Sequence, residues 1–355
     1  MSKDLIYTIY SHSDADGGIA AALFQKFIHD KYAKYGWKIE VQPVNHVSAQ
    51  GDWSLRELKW PCAILDFSLH PAFLNNKFFL AKQIYEKKFE NEAQIPQCYW
   101  IDHHPTGSSF PFLNENNTAE IIPNSVVTKW DTKAISTPGL LRTHHHELSF
   151  PLKFLKEYEE FIDLAEIIDG ALYATGEAAH DYSSHAVKLQ TLFTPSHPIV
   201  DKAALYKKLV KQIVKSSDVE DLFDSDNIFD AIIKYEEQLF YKQYRIYKKA
   251  TQKVGKVAYS NFLNSREFYG MARFLPYLLF EDAEYALHVF PNSNKGSTSL
   301  SCGVNPWNKP KGNNKHLGNY FAHHFSGGGH AFVAGGRLLD GEVYKLDKLI
   351  EHLNE

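Results

Sequence analysis

The sequence predicts an α/β protein: a mostly parallel N-terminal sheet flanked by helices, a helical connector and a smaller C-terminal α/β domain. Three observations carry this prediction. Short apolar runs alternate with segments of helical periodicity in the first part of the chain, residues 200–250 are helical in pattern, and strand-like segments return afterwards. A length of 355 residues suits two domains. We place the borders at 1–200, 201–251 and 252–355.

The N-terminal domain is predicted to alternate strands and helices. Apolar segments rich in β-forming residues predict strands at Leu5–Tyr10, Lys38–Val44, Cys62–Leu65 and Gln97–Ile101. Apolar residues at helical spacing predict amphipathic helices after Gly18 and over His70–Lys88. Because strands that alternate with helices are joined by right-handed crossovers, the sheet is expected to be mostly parallel.

The rest of the chain predicts a helical middle and a second sheet. Residues 105–150 are less regular, and Pro151–Ile168 is helical in pattern and leads to Asp169. The connector is predicted to end in a helix over Ile228–Lys249. Beyond it, strands are predicted at Val257–Tyr259, Tyr285–Phe290 and Ser299–Val304. A short helix containing Leu317 and Phe321 then runs into Gly327-Gly328-Gly329-His330.

Composition excludes several classes of function. The net charge of −4 argues against a general binder of long nucleic acid, whose affinity depends on many phosphate contacts. The three cysteines, Cys62, Cys98 and Cys302, lie far apart, so a thiolate zinc site is not expected and a reducing cytoplasm is predicted. No signal peptide and no membrane-spanning run is predicted, so we expect no membrane partner.

Acidic and imidazole side chains follow the ends of the predicted strands. They are His12, Asp14, Asp16, Asp66, Asp102, His103 and His104. Ligand sites of open α/β sheets lie at this edge. Carboxylates two residues apart, such as Asp14 and Asp16, repel each other unless a cation lies between them. Oxygen and nitrogen ligands without thiolates suit Mn²⁺, with Mg²⁺, Co²⁺ or Fe²⁺ as alternatives, and the set is large enough for two cations.

These motifs resemble the DHH phosphoesterase superfamily, which is named for the triplet seen here as Asp102-His103-His104. The other motifs, in chain order, are His12-x-Asp14-x-Asp16-Gly17, Asp66 and Asp169. The C-terminal Gly327-Gly328-Gly329-His330 resembles the signature of the DHH-associated substrate-binding domain. The resemblance covers nearly the whole chain, and its opening motif is most similar to the nano-RNases and oligoribonucleases of this group.

The resemblance implies two divalent cations, with Mn²⁺ as the expected metal. One would be held by His12 and Asp14. The other would be held by Asp16, His103 and Asp169, for which Asp163 and Asp181 are nearby alternatives in the sequence.

The resemblance also assigns roles to the residues around the cations. Asp66 would bridge both cations, and His104 would contact the scissile phosphate. Asp102 would orient His103 through a hydrogen bond, as metal-binding imidazoles usually require. The substrate domain would bind a phosphate through Gly327, Gly328, Gly329 and His330.

The sequence departs from the family pattern in the substrate domain. Family members often carry an arginine in the strand that corresponds here to Thr298–Cys302, and this sequence has none there. Arg266 or Lys295 is predicted to supply the charge instead.

The resemblance implies hydrolysis of short oligoribonucleotides or linear dinucleotides to mononucleotides by a two-metal phosphodiesterase. A homodimer is one of the open alternatives for its assembly. Hydrolysis of cyclic dinucleotides, a 3′,5′-bisphosphate nucleotidase and a RecJ-like single-strand exonuclease stay open. A different class is a non-catalytic nucleotide-binding module.

Overall fold

The computed structural model describes residues 5–45, 57–67, 76–89, 91–104, 126–265, 270–291, 297–311, 315–329, 331–339, 341–342 and 344–355. The chain divides into two compact units. The first unit is Met1–Leu172 with Ser183–Ile233, and the second is Tyr173–Tyr182 with Lys234–Glu355. Both units combine helices with a sheet, which confirms the predicted α/β class.

The sheet of the first unit is parallel throughout its described strands. The strands are β1 (Leu5–His12), β2 (Trp37–Val44), β3 (Cys62–Leu65), β4 (Cys98–Asp102) and β5 (Val126–Trp130). Their order is β2-β1-β3-β4-β5, and each neighbouring pair is parallel. The predicted parallel sheet is therefore confirmed, and β5 extends it within a segment that the sequence pattern left irregular.

Helices follow or precede these strands. They are α1 (Ala15–Tyr32), α2 (Asn76–Glu86), α3 (Thr137–Thr143), α4 (Leu152–Glu157), α5 (Glu159–Asp169), α6 (His185–Phe193), α7 (Lys202–Lys215), α8 (Val219–Asp224) and α9 (Asn227–Ala250). Helix α1 was predicted to be amphipathic, but residues Ala15–Phe24 are all buried. Helices α3, α5 and α7 all pack against it, and a helix enclosed in this way needs no polar face.

The second unit is built on a mixed sheet. Its strands are β6 (Thr251–Val254), β7 (Val257–Asn261), β8 (Tyr285–Pro291), β9 (Ser297–Val304), β10 (Gly328–Gly329) and β11 (Val333–Leu339). Their order is β10-β11-β9-β8-β7-β6, antiparallel except for β7 with β8. The described helices of the unit are the part of α9 from Lys234 onward, α10 (Leu275–Leu279), α11 (Leu317–His324) and α12 (Tyr344–Asn354).

One face of this second sheet carries the core of its unit. Leu300 and Cys302 of β9 pack with Phe321 of α11 and Leu349 of α12. Because side chains alternate along a strand, the neighbouring serines of β9 lie on the opposite face. The opposite face is also covered at β8, where Tyr247 of α9 packs against His288, and Phe290 packs against the cluster of Tyr247, Phe262 and Leu275.

The predicted connector, 201–251, does not form a compact unit of its own. Residues up to Ile233 belong to the first unit, because the apolar side of α7, which includes Leu205 and Leu209, is buried and α7 packs against α1. The functional borders 1–200, 201–251 and 252–355 stay a prediction. Among the residues that the structure describes, no helix combines the length and the apolar character needed to cross a membrane.

Candidate metal centre

Three neighbouring strands of the first sheet end at the same level. Ser11 of β1 pairs with Leu65 of β3, and Leu65 pairs with Ile101 of β4. The next residue along each strand is His12, Asp66 or Asp102, so the register brings these three side chains to one edge of the sheet. The sequence interpretation of three converging segments is consistent with this register.

His12 and Asp14 form the first group, at the turn between β1 and α1. Asp14 caps α1, because its Oδ1 accepts a hydrogen bond from Gly17 N at 3.0 Å. His12 Nδ1 lies 2.6 Å from Asp14 Oδ2 and 3.8 Å from Asp66 Oδ2. The ligand atoms of His12, Asp14 and Asp66 all lie within 4.8 Å of one another. The cap of α1 thus fixes Asp14 within a group of three side chains that can bind a cation.

Asp16, His103 and Asp169 form the second group. His103 Nε2 lies 3.2 Å from Asp16 Oδ2 and 3.6 Å from Asp169 Oδ2. Asp16 comes from the first turn of α1, His103 follows β4, and Asp169 ends α5. Asp169 keeps a third of its side-chain surface exposed. Its sequence neighbour Asp163 instead pairs with Arg142 at 2.6 Å, and Asp181 belongs to the second unit.

Asp66 lies between the two groups. Its Oδ2 faces His12, and its Oδ1 lies 3.4 Å from His103 Nε2. The side chain is 1% exposed, and the backbone adopts a φ of 55°, which places the carboxylate in a left-handed turn after β3. Asp66 therefore faces both groups, as a carboxylate that bridges two cations must.

The titration behaviour of the groups reflects crowded negative charge. Burial and the charges of Asp16 and Asp14 raise the pKa of Asp66 well above its ordinary value. Burial and the charge of Asp16 raise the pKa of Asp169 to about 7. Burial lowers the pKa of His103, but the facing carboxylates of Asp16 and Asp66 outweigh it and raise the value to about 12. Positive charge is therefore favoured here.

Two buried atoms of the predicted cation ligands lack a hydrogen-bond partner in the part of the chain that the structure describes, as does Asp102 Oδ2 beside them. The two ligand atoms are Asp66 Oδ2 and His103 Nε2. Buried polar atoms are rarely left in this state, and each of these faces other ligand-type groups. His103 Nδ1 donates to Ala134 O at 3.3 Å, which leaves Nε2 as the ring nitrogen for a cation. The residues therefore fit divalent cations bound by oxygen and nitrogen.

Asp102 orients a different residue from the one predicted. The sequence interpretation paired it with His103, but Asp102 Oδ1 accepts hydrogen bonds from His104 Nδ1 at 2.8 Å and from His104 N at 3.2 Å. The physical reason is the tight turn after β4, which folds the backbone of His104 back toward Asp102. Trp130 Nε1 also donates to His104 O at 2.6 Å. His104 is thus held at both its ring and its backbone.

Other contacts at the centre were not anticipated from the sequence. Thr137 N, at the start of α3, donates to both carboxylate oxygens of Asp16 at 3.1 and 3.0 Å, and Thr137 Oγ1 donates to Asp66 Oδ1 at 3.2 Å. Tyr206 OH, from α7, donates to His12 O at 2.9 Å and lies 2.7 Å from Ser11 Oγ. The sequence signal for the contacts of Thr137 was Ser136-Thr137 before an apolar helix. No sequence signal indicated the contacts of Tyr206.

The residues predicted to bind substrate lie in the second unit. A Cβ on Gly327 would lie 2.0 Å from Gly335 O, and one on Gly329 would lie 2.3 Å from Val333 O, so close backbone packing requires both glycines. At Gly328 no described atom lies within 4 Å of that position. Phosphate binding by these glycines stays a prediction. His330, Arg266 and Lys295 lie outside the described residues.

No protein-family model matches the chain, and no curated protein matches its sequence. Its fold is nevertheless similar to solved structures. The pGpG-specific phosphodiesterase PggH from Vibrio cholerae is 14% identical, with 98% of this chain and 99% of that chain covered and a TM-score of 0.65. A DHH domain from a member of the S1p family of ribosomal proteins is 10% identical, with coverages of 99% and 87% and a TM-score of 0.56.

These identities establish likeness of fold alone. The fold of the chain is similar to that of a protein described as a DHH domain, as the resemblance of the motifs predicted. The closer resemblance to nano-RNases stays a prediction.

Proposed function

We propose that this chain is a phosphodiesterase of the DHH superfamily that hydrolyses short oligoribonucleotides and linear dinucleotides to mononucleotides with two divalent cations. One observation carries the proposal: Asp66 lies within 3.8 Å of His12 on one side and within 3.4 Å of His103 on the other. Two ligand groups that share one carboxylate are the arrangement used to clamp both oxygens of an in-line phosphoryl displacement. Mn²⁺ is the expected metal, with Mg²⁺, Co²⁺ or Fe²⁺ as alternatives.

The ligand groups divide as the geometry suggests. His12 and Asp14 would hold one cation, and Asp66 would be shared. The other cation would lie among Asp16, His103 and Asp169. When bound, the pair would supply Lewis-acid stabilisation of phosphate charge and a nucleophilic water at neutral pH.

His104 would contact the scissile phosphate. Its Nδ1–H donates to Asp102 Oδ1 at 2.8 Å, which fixes the ring with Nε2 directed away from that carboxylate. In the protonated ring Nε2 carries a second N–H, which can donate to a phosphate oxygen as negative charge develops. Asp102 would therefore act through His104 by fixing the direction of that donor.

The substrate class is supported by two features. The fold is similar over nearly its whole length to a phosphodiesterase described as specific for pGpG, a linear dinucleotide. In the second unit, β10 consists of Gly328 and Gly329, and no described atom lies within 4 Å of the Cβ position at Gly328, so a ligand could approach the backbone closely there. A cytoplasmic location and a homodimer stay predictions from the sequence.

A side-by-side assay with Mn²⁺ tests the proposal. The substrates are pGpG, RNA of two to five nucleotides, long single-stranded DNA, a cyclic dinucleotide, 3′,5′-bisphosphorylated adenosine and pyrophosphate. We expect pGpG and the short RNAs to be cleaved fastest, and titration calorimetry to give two Mn²⁺ per chain. Equal cleavage of long DNA would favour the RecJ-like alternative, and no turnover of any substrate would favour the non-catalytic nucleotide-binding module.

A further inference from the structure

The segment that joins β5 to α3 contacts three of the predicted cation ligands. Ala134 O accepts a hydrogen bond from His103 Nδ1 at 3.3 Å. The amide of Thr137 donates to both carboxylate oxygens of Asp16 at 3.1 and 3.0 Å, and its hydroxyl donates to Asp66 Oδ1 at 3.2 Å. These ligands belong to α1 and to the turns after β3 and β4, so one short segment links side chains from three parts of the fold.

Thr137 is itself held firmly in place. It is fully buried, as is its neighbour Ser136, whose Oγ accepts a hydrogen bond from Gly139 N at 3.0 Å. This contact caps α3 and fixes its first turn, which includes the Thr137 amide. Because a β-branched side chain has few χ1 rotamers and this one is enclosed, the direction of its hydroxyl is restricted as well.

Helix α3 also packs against α5, which ends at the remaining ligand of the second group, Asp169. A Cβ on Gly139 would lie 2.2 Å from Glu166 Oε1, so the two helices approach closely there. Arg142 of α3 donates to Asp163 at 2.6 Å and to Glu166 at 2.9 Å, and both acceptors belong to α5. The segment and α3 together therefore contact or support every member of the second group.

The first group is fixed by other parts of the fold. Asp14 is the cap of α1, and the backbone carbonyl of His12 accepts a hydrogen bond from Tyr206 OH of α7. Asp66 is shared: its Oδ1 accepts the Thr137 hydroxyl, and its Oδ2 faces His12. A hydrogen bond at one oxygen fixes the plane of a carboxylate. The Thr137 hydroxyl thus keeps one oxygen of Asp66 directed to each group.

We propose that Thr137 is a positioning residue for the cation of the second group. Its hydroxyl fixes the shared carboxylate of Asp66, and its amide fixes Asp16. The inference rests on the proposed function, because it concerns the cations that the proposed hydrolysis requires. Thr137 acts only through the carboxylates that it orients, so loss of its hydroxyl should weaken the binding of one cation more than that of the other.

Titration calorimetry with Mn²⁺ tests this role without depending on turnover. The proteins are the wild type, T137V, which removes the hydroxyl and keeps the shape of the side chain, and T137S, which keeps the hydroxyl. We expect the affinity for one of the two Mn²⁺ ions to fall about 10–100-fold in T137V, as is typical when a hydrogen-bonding partner of a metal ligand is lost. The affinity for the other ion should change less, and T137S should bind both ions as the wild type does.

T251V is the matched control. Thr251 belongs to the second unit and is 8% exposed, and its Oγ1 lies 2.9 Å from Ser260 Oγ. T251V therefore also loses a buried hydroxyl contact, but none that involves a predicted ligand, and it should bind both Mn²⁺ ions with wild-type affinity. Thermal unfolding in chelator shows whether each variant folds. If T137V does not fold, T137A removes the same hydroxyl without adding a methyl group and takes its place.

Several results would overturn the positioning role. They are wild-type affinity for both ions in T137V, equal weakening of both ions in that variant, and a loss in T137S or T251V as large as that in T137V. A wild type that binds two Mn²⁺ ions but hydrolyses no phosphodiester refutes the proposed function, and the titrations then still decide the role of Thr137. A wild type that binds fewer than two ions refutes both.

Discussion

Asp66 is the residue on which the candidate centre depends. It is a buried carboxylate in a left-handed backbone conformation, and the negative charges of Asp16 and Asp14 raise its pKa. Its hydrogen bond from Thr137 satisfies one oxygen and leaves the other facing His12. Such a residue lowers the stability of the cation-free protein, and a bound cation removes that cost.

Substitution of Asp66 by asparagine is expected to separate activity from stability. Loss of a residue that hydrogen-bonds to a metal ligand typically costs roughly 10–100-fold in activity. D66N should reduce phosphodiester hydrolysis by more than that, because both ligand groups lose the carboxylate that they share. The same variant should leave the melting temperature of the metal-free protein unchanged or raised, since an amide carries no charge to be repelled. Hydrolysis and thermal unfolding in chelator measure the two effects.

The matched control for Asp66 is D163N. Asp163 is an acid of α5 with 55% of its side chain exposed and pairs with Arg142 outside both ligand groups. Hydrolysis should stay near the wild-type rate in this variant. A D66N protein as active as D163N would show that Asp66 does not bridge.

At the residue scale, much of the centre could be predicted from the sequence and some could not. His12, Asp66 and Asp102 follow apolar strands, and neighbouring parallel strands bring their ends together, so their proximity followed from the pattern. The partner of Asp102 did not, because it depends on the turn geometry after β4. The hydrogen bonds of Thr137 depend on where an amide at the start of α3 points, which composition does not encode.

At the scale of elements, α7 contributes more than a connector does. Its Tyr206 is 2% exposed and contacts the last two residues of β1, Ser11 and His12. The amphipathic pattern of residues 202–215 predicted a helix, but nothing in the pattern indicated which helix it would pack against. Packing against α1 explains both its place in the first unit and its contact with the candidate centre.

The Tyr206 hydroxyl is expected to position His12 for cation binding. Y206F removes a hydrogen bond to the backbone of a predicted ligand and keeps the ring in the core. We expect the Mn²⁺ concentration for half-maximal binding to rise about tenfold, at the lower end of the range for outer partners of metal ligands. The measurement is titration of Mn²⁺ by calorimetry, which does not depend on turnover.

Y158F is the control, because Tyr158 is equally buried and donates to a backbone carbonyl, Val214 O, at 3.1 Å. Y158F should lose roughly 1 kcal/mol of stability from one buried hydrogen bond, and Y206F up to about twice that, because the Tyr206 hydroxyl contacts both His12 O and Ser11 Oγ. Only Y206F should change Mn²⁺ affinity. If both variants weaken Mn²⁺ binding equally, the effect of Tyr206 is general stability and the positioning role is wrong.

At the scale of the whole molecule, the two units should respond differently to metal. The ligand residues all belong to the first unit, so a cation stabilises that unit when it binds the native state. At a Mn²⁺ concentration of 100 times Kd the gain is about 2.7 kcal/mol per site. Calorimetric scans with Mn²⁺ and with chelator should therefore show one transition that moves upward and one that does not. In D66N the difference between the two scans should shrink, and a shift of both transitions in the wild type would contradict the assignment.

The second unit should be the more sensitive to acid through two buried histidines. Burial lowers the pKa of His288 and of His180 to about 4 each, and His180 is also stacked on Phe240. Because the ordinary value of about 6.5 applies to the unfolded chain, the unfolded state binds more protons below that pH. The contribution of each neutral, buried histidine to the free energy of unfolding is therefore fully present above pH 6.5 and is lost as the pH falls toward 4. At pH 5 the loss is about 2 kcal/mol per histidine. Between pH 7.5 and 5 the free energy of unfolding should fall by about 2 kcal/mol less in H288Q than in the wild type, whatever the stability of H288Q at pH 7.5. An identical pH dependence of the free energy of unfolding in both proteins would show that His288 is not buried in its neutral form.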